Sequence, residues 1–332
     1  MRCCDPPVFQ LAEWLVEEGI AEHRAVRWDS GGIAGARIAW PGRLLAGSVV
    51  EARLVARTAG SPRGTARSEC GEELLVDRLP REASEGAVLR VLVTRAALDG
   101  PGRLKRAQGR ATDTSLRTPT LAQTLAADSD VRIVRRFPGG EWDELVGEAL
   151  AGAIAFPGGS LLLSPTPALT TIDVDGTLGP RALALAAVPA VAGALDRLAI
   201  GGSVVIDFPT LAAREDRRAL DQALGIALAG YPHERTAVNG FGLVQIVARL
   251  EGPSLLQRAA WQRAGLVWRH LLRRAEGLDG PGALELGLAP ALEGMADRAH
   301  LSELERRAGR RVRVRIDAGL DPDAPHAQLV AP

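Results

Sequence analysis

The chain has 332 residues, 46% of them apolar and 24% charged, and its 40 basic and 40 acidic side chains give a formal net charge of zero. That composition describes a folded chain long enough for two or three domains, and it excludes disordered and collagen-like polymers. It also excludes a globally basic polyanion binder, so any nucleic acid has to meet a local patch.

Arginine supplies every positive charge except Lys105, so arginine number alone carries no functional information. Cys3, Cys4 and Cys70 form an odd set without C-x₂-C spacing. That argues against a structural zinc or a disulfide framework and fits a reducing compartment. No apolar run approaches membrane-spanning length, and Glu17 and Glu18 stand where a signal peptide needs an apolar stretch. The expectation is a cytoplasmic protein with no membrane partner.

In chain order, residues 8–20 are predicted to form an amphipathic helix, with Leu11, Trp14, Leu15 and Ile20 along one side. From Ala25 to about Thr112 the pattern changes to short strands separated by turn signals, at 35–40, 49–55, 74–76 and 88–93. Regular short strands of this kind predict a small β-barrel. Arg103, Lys105, Arg106 and Arg110 follow as the densest basic cluster of this half, either a solvated loop or a patch that tracks phosphates. Residues 113–129 read as a linker, 131–136 as a strand, 142–154 as a helix and 160–164 as a strand.

Two acidic strands come next, Thr170-Thr171-Ile172-Asp173-Val174-Asp175-Gly176 and Ser203-Val204-Val205-Ile206-Asp207. Both have the look of buried parallel strands, where an acid belongs only at an end or in a functional role. Ligands of open α/β sheets bind at the carboxyl ends of neighbouring strands. Two carboxylates about 4 Å apart repel by roughly 4 kcal/mol at an intermediate dielectric. A hard divalent cation removes that repulsion, so Asp173 and Asp207 are candidate Mg²⁺ ligands. The competing reading is that each acid caps the helix that follows.

Residues 180–200 between the acids read as a crossover helix that Pro189 should kink or split. Beyond them, Thr210 is the expected N-cap of a helix over 211–228, 241–250 a strand, and 254–274 a single basic helix. A last unit is predicted as strand 283–286, helix 292–308 and strand 312–316.

Asp173-Val174-Asp175-Gly176-Thr177-Leu178 also matches the first motif of haloacid-dehalogenase-type phosphatases, in which the first Asp is the nucleophile and the second the acid. That class needs a later lysine, and none follows Lys105. No G-x-S-x-G, P-loop or G-x-G-x-x-G after a strand is present, and the five histidines lack metal-ligand spacing.

The run from Pro157-Gly158-Gly159 through Ser164-Pro165-Thr166-Pro167 to Asp173-Val174-Asp175 resembles the catalytic segment of the ribonuclease E/G family. Gly201–Phe208 is similar to that family's second metal-ligand strand, and Phe241-Gly242-Leu243, with Arg249 and Pro253-Ser254-Leu255, to its next block. Residues 301–322 are similar to its small C-terminal domain. The resemblance implies an α/β (α+β multidomain) chain: an N-terminal segment over 1–31, an S1-like OB-fold barrel over 32–112, an RNase H-like remnant plus DNase I-like core over 113–255, and a C-terminal domain over 256–332.

By the same resemblance, Asp173 and Asp207 would ligate Mg²⁺, and Asp175 would stand where the family has an asparagine that positions the phosphate. The implied reaction is endonucleolytic hydrolysis of single-stranded RNA to 5′-phosphate and 3′-hydroxyl ends. Arg67, Arg103, Lys105, Arg106 and Arg110 would contact RNA. Several family features depart. The connection after the barrel is too short for a sensor of RNA 5′ ends, and Gly240 replaces an arginine. Arg67 and residues 72–75 occupy the place of base-stacking aromatics, and the Cys-Pro-x-Cys zinc link is missing. A homodimer rather than a zinc-linked tetramer is therefore expected. The alternatives are a non-catalytic RNA-binding relative, or the phosphatase with Asp173 and Asp175.

Overall fold

Trp14–Gly19 (β1) is a strand rather than the helix its apolar spacing predicts. Trp14 and Val16 face one apolar cluster, with Leu121, while Leu15 faces another. A strand buried on both faces shows a run of apolar letters with no period of two, and such a run also fits a helix. The structure, a computed structural model, describes residues 13–29 and 32–331, with the Arg103 side chain not described. Residues 8–12 of the expected helix, with Cys3 and Cys4, lie outside the described residues.

Glu22–Asp29 (β2) and Gly32–Ala39 (β3) continue from β1 in antiparallel register. Because β3 pairs with β2, it belongs to this sheet and not to the barrel. The barrel closes from Val49–Arg57 (β4), Gly64–Ser68 (β5), Glu73–Asp77 (β6), Val88–Arg95 (β7) and Ala107–Ala111 (β10). A hairpin of Leu98–Gly100 (β8) and Arg103–Lys105 (β9) precedes its last strand. Around the barrel the order is β4-β5-β6-β10-β7, with β6 and β10 parallel and the other pairs antiparallel. Leu54, Ala66, Leu74, Val76, Val91 and Val93 fill it.

The segment expected to be a linker contains Leu121–Leu125 (α1), whose Thr120 and Gln123 form a reciprocal capping box. Val131–Ile133 (β11) then pairs in parallel with β1. Next come Glu141–Ala151 (α2), Ala153–Phe156 (β12), Gly159–Pro165 (β13), Thr170–Gly176 (β14), Pro180–Arg197 (α3), Gly202–Asp207 (β15), Arg214–Ala227 (α4), His233–Arg235 (β16) and Leu243–Ala248 (β17). The sheet order is β12-β13-β14-β15-β17-β16. One apolar cluster joins Leu15, Val26 and Ala36 of the first sheet to α3 residues and to Ile172, Val204 and Ile206. α3 therefore lies between the two sheets, packed on β3 of the first and on β12, β13 and β14 of the second.

Pro189 does not split α3. Its ring is on the exposed side, while Ala184, Ala187, Val188 and Val191 around it are buried. Burial of that stripe offsets the roughly 3 kcal/mol that an internal proline costs. The expected helix 254–274 is two, Leu255–Trp261 (α5) and Arg263–Glu276 (α6), broken at Gln262. The C-terminal unit holds Ala283–Leu288 (β18), a 3₁₀ turn at Pro290–Met295, Arg298–Ala308 (α7), Val312–Ile316 (β19) and His326–Val330 (β20). The chain is thus mixed α/β and rich in strands, with a closed five-stranded barrel. Among the described residues no helix is long and apolar enough to cross a membrane.

Candidate active site

Side chains alternate along a strand, so burying one set fixes the direction of the other. Ile172 and Val174 of β14 and Val204 and Ile206 of β15 point into the helical layer and are buried. Asp173, Asp175 and Asp207 are therefore driven to the opposite face, and all three are exposed. This corrects the expectation of strands buried on both faces: among the described residues, helices cover one side of these two strands only.

The β14–β15 pair is parallel and aligns Asp173 directly with Asp207. Neighbouring strands lie about 4.8 Å apart, so two like charges stand side by side. The register is set on both flanks. Between β13 and β14, the Thr166 hydroxyl donates to the Leu169 carbonyl (2.7 Å) and accepts from the Leu169 amide (3.1 Å), closing the hairpin that places Leu162 opposite Asp173. On the other side β17 places Leu243 opposite Asp207. A single row across four strands therefore reads Leu162, Asp173, Asp207, Leu243.

Among the described residues neither carboxylate of the pair has a protein hydrogen bond or ion pair. Asp175 sits two residues further along β14, about 7 Å away at strand spacing, and accepts a hydrogen bond from the Gly176 amide (2.8 Å). Thr210 does not cap α4; its hydroxyl donates to the Phe241 carbonyl (3.5 Å), and the helix begins only at Arg214. Neither acid is the N-cap of the next helix, a position held by Gly179 and Ala213. No group of three or more His, Cys, Asp or Glu gathers as a metal cage among the described residues. Mg²⁺ does not require one, since it binds through one or two carboxylates and keeps several waters. The paired, exposed and unneutralised carboxylates fit that donor set.

The basic candidates lie on the barrel. Arg67 of β5 and Arg106 after β9 both pair with Glu73, at 2.9 and 3.1 Å. The hydrogen bond from Arg67 and the nearby Arg106 charge hold the Glu73 carboxyl below its ordinary range. Lys105 and Arg106 line a groove of about 490 Å³ with Leu75, Arg95, Leu104 and Gln108. Arg110 is exposed on β10, opposite Asp77, which Arg63 pairs at 2.8 Å. Of Arg103 only the backbone is described, in β9. The structure thus gathers Arg67, Lys105 and Arg106 with Leu75, from the stretch expected at the base-stacking place, and adds Leu104 and Arg95, which nothing in the sequence singles out.

The patch and the acid pair are not brought into contact. The barrel segment meets the sheet segment through the Ala96 amide and the Glu251 carbonyl (2.8 Å), and Asp99 of β8 accepts from Gln262 between α5 and α6 (2.7 Å). Glu251 follows the end of β17 that faces Gly202, at the other end of β15 from Asp207. No protein-family model and no curated protein matches the chain.

Proposed function

We propose that the chain is a Mg²⁺-dependent endoribonuclease of the ribonuclease E/G type acting on single-stranded RNA. The observation that carries this reading is the direct register of Asp173 with Asp207 on an open sheet face, with neither acid ion-paired among the described residues. A polymer can lie across an open face, whereas a small metabolite needs an enclosing pocket.

The barrel supports the same reading. Its strand order, with the third strand parallel to the fifth, supports reading it as OB-like, a fold in which the second and third strands form the ligand face. Arg67 and Leu75 lie on those strands. We read β12–β17 with α3 and α4 as the DNase I-like core and β18–β20 with α6 and α7 as the small C-terminal domain.

Asp173 and Asp207 would hold Mg²⁺, whose chemistry when bound is to neutralise charge on a phosphodiester and to make water nucleophilic at neutral pH. Asp175 is too far along the strand to share that position and would orient a water or a ribose hydroxyl. Its carboxylate is held for this by the Gly176 amide. Arg67, Lys105 and Arg106 would track phosphates at a distance from the cut.

The test is cleavage of a 5′-labelled single-stranded RNA with Mg²⁺ by the wild type, Asp173→Asn and Asp207→Asn. Metal-dependent internal cuts ending in 3′-hydroxyls, lost in both variants, are the expected result. RNA binding without cuts makes the chain a non-catalytic RNA-binding protein. Turnover of small phosphomonoesters, lost in Asp173→Asn and Asp175→Asn alike, would select the phosphatase reading.

A further inference from the structure

Phe241, at 77% exposure, is the most exposed large apolar side chain among the described residues. Isolated apolar residues on a surface are ordinary. This one is set apart by its position and by the rigidity of the backbone beneath it. It occupies the turn that leads into β17, two residues before Leu243, the partner of Asp207 in the register.

The turn is fixed from several directions. The Asn239 side-chain oxygen accepts from the amides of Phe241 (2.9 Å) and Leu243 (3.0 Å), and the Gly242 amide donates to the Asn239 carbonyl (3.2 Å). On the other side, the Phe208 amide donates to the Gly242 carbonyl (3.3 Å), and the Thr210 hydroxyl to the Phe241 carbonyl. Gly242 has φ +89°, and a Cβ there would collide with the Phe208 carbonyl oxygen, so the turn locks onto the residue that follows Asp207. A flat apolar ring is thus held in water on an ordered backbone at the same end of the sheet as the acid pair. Little ordering is left to oppose a ligand that covers it.

We infer that Phe241 is a stacking platform for an unpaired nucleobase next to the phosphate that lies at Asp173 and Asp207. The inference rests on the RNA reading above and deepens it. Stacking on an aromatic ring tolerates any base, because every base has a π-face, but it requires the base to have left a duplex. Phe241 therefore selects single-stranded substrate at the site of cleavage, independently of the barrel. The purines, with the larger ring area, are favoured at that one position.

The experiment uses the full chain. Phe241→Ala, Phe241→Leu and Phe241→Trp are compared for cleavage of single-stranded RNA. In an Asp173→Asn background the same three are compared for quenching of 2-aminopurine placed at successive positions. Expected are a loss of roughly 5- to 150-fold in kcat/KM for Ala, a similar loss for Leu, and retention for Trp. One 2-aminopurine position is quenched, and only when residue 241 is aromatic. Ala acting like the wild type on RNA that is cleaved overturns the stacking role and leaves the nuclease standing. RNA bound without cleavage, with quenching that depends on Phe241, upholds the platform and sinks the nuclease. A chain that neither binds nor cuts RNA overturns both.

Discussion

Asp207 and Asp173 repel one another on a surface where, among the described residues, no cation pairs with either. Replacing either by Asn should therefore leave the fold intact and raise its stability by about 0.5–1 kcal/mol in metal-free buffer, since exposed charge pairs are weak. Mg²⁺ should raise the wild-type melting temperature, and the Asn variants should lose that response, as linkage requires of a ligand that binds only the folded state. Thermal scans with Mg²⁺ and with chelator check both. A wild type indifferent to Mg²⁺ would remove the metal pair.

The buried charges behave in the opposite way. Glu17 accepts from Arg273 at 3.0 and 3.1 Å and also binds the Phe137 amide, with Arg24 beside it. His270 lies against this group, facing Asp143, Arg273, Arg274 and Arg24, and burial pushes its pKa down to about 4. An unfolded histidine takes up its proton near pH 6.5. The unfolded state thus binds more protons between those values, and stability falls as the pH drops from about 6.5 to about 4. Urea unfolding at pH 7.5 and 5 should show a loss of roughly 1–3 kcal/mol, and His270→Phe should remove that share of the slope. An equal slope in the variant would assign the loss to other groups.

At the scale of elements, α3 carries its own defect. Pro189 removes one hydrogen bond from the middle of an 18-residue helix while contributing nothing to the buried stripe. Pro189→Ala should stabilise the chain by about 1–3 kcal/mol, read as a higher urea midpoint at unchanged slope. An unchanged midpoint would mean that the helix is already relaxed around the ring. Elements whose apolar residues alternate or recur cleanly were legible in the sequence, and β14, β15, β18 and β19 fall close to where the letters place them. β1 was not, because a strand packed on both faces carries no alternation. The break between α5 and α6 was not legible either. Nothing in Trp261-Gln262-Arg263 marks it, and the turn there is shaped by tertiary contacts, with Gln262 held to Asp99 of the β8–β9 hairpin. The alignment of Asp173 with Asp207 could be suspected from two matching strands, but its register depends on pairing that only the fold supplies. The exposure of Phe241 had no sequence signature at all.

Across the whole molecule, Glu73 limits what the barrel can do. By holding Arg67 and Arg106 it would, on the proposed RNA reading, occupy two charges that a phosphate chain would otherwise meet. Glu73→Gln should tighten RNA binding and steepen its salt dependence by about one to two phosphate equivalents, whereas Arg106→Ala should weaken binding and flatten that slope by about one. Fluorescence anisotropy titrations between 50 and 200 mM salt, on the scale used for phosphate contacts, measure both. Weaker binding by Glu73→Gln would show that the acid orders the arginines instead of competing for them.

On the proposed reading, attachment of the barrel beside the far end of β15 and β17 would make the chain a ruler. Asp207 and Gly202 are five residues apart on one strand, about 17 Å at 3.3 Å per residue, and Arg95 of the groove directly precedes Ala96, which bonds Glu251 after the Gly202 end of the pair. If both sites take RNA, an oligonucleotide too short to span that distance would occupy the groove or the acid pair, but not both. Once the strand is long enough to bridge them, the second contact becomes intramolecular and affinity rises by the effective concentration of the tether, not through any new interaction. Cleavage efficiency should then climb abruptly over a narrow range of RNA lengths and stay level above it, with the cut falling at a set distance from the segment that the barrel holds.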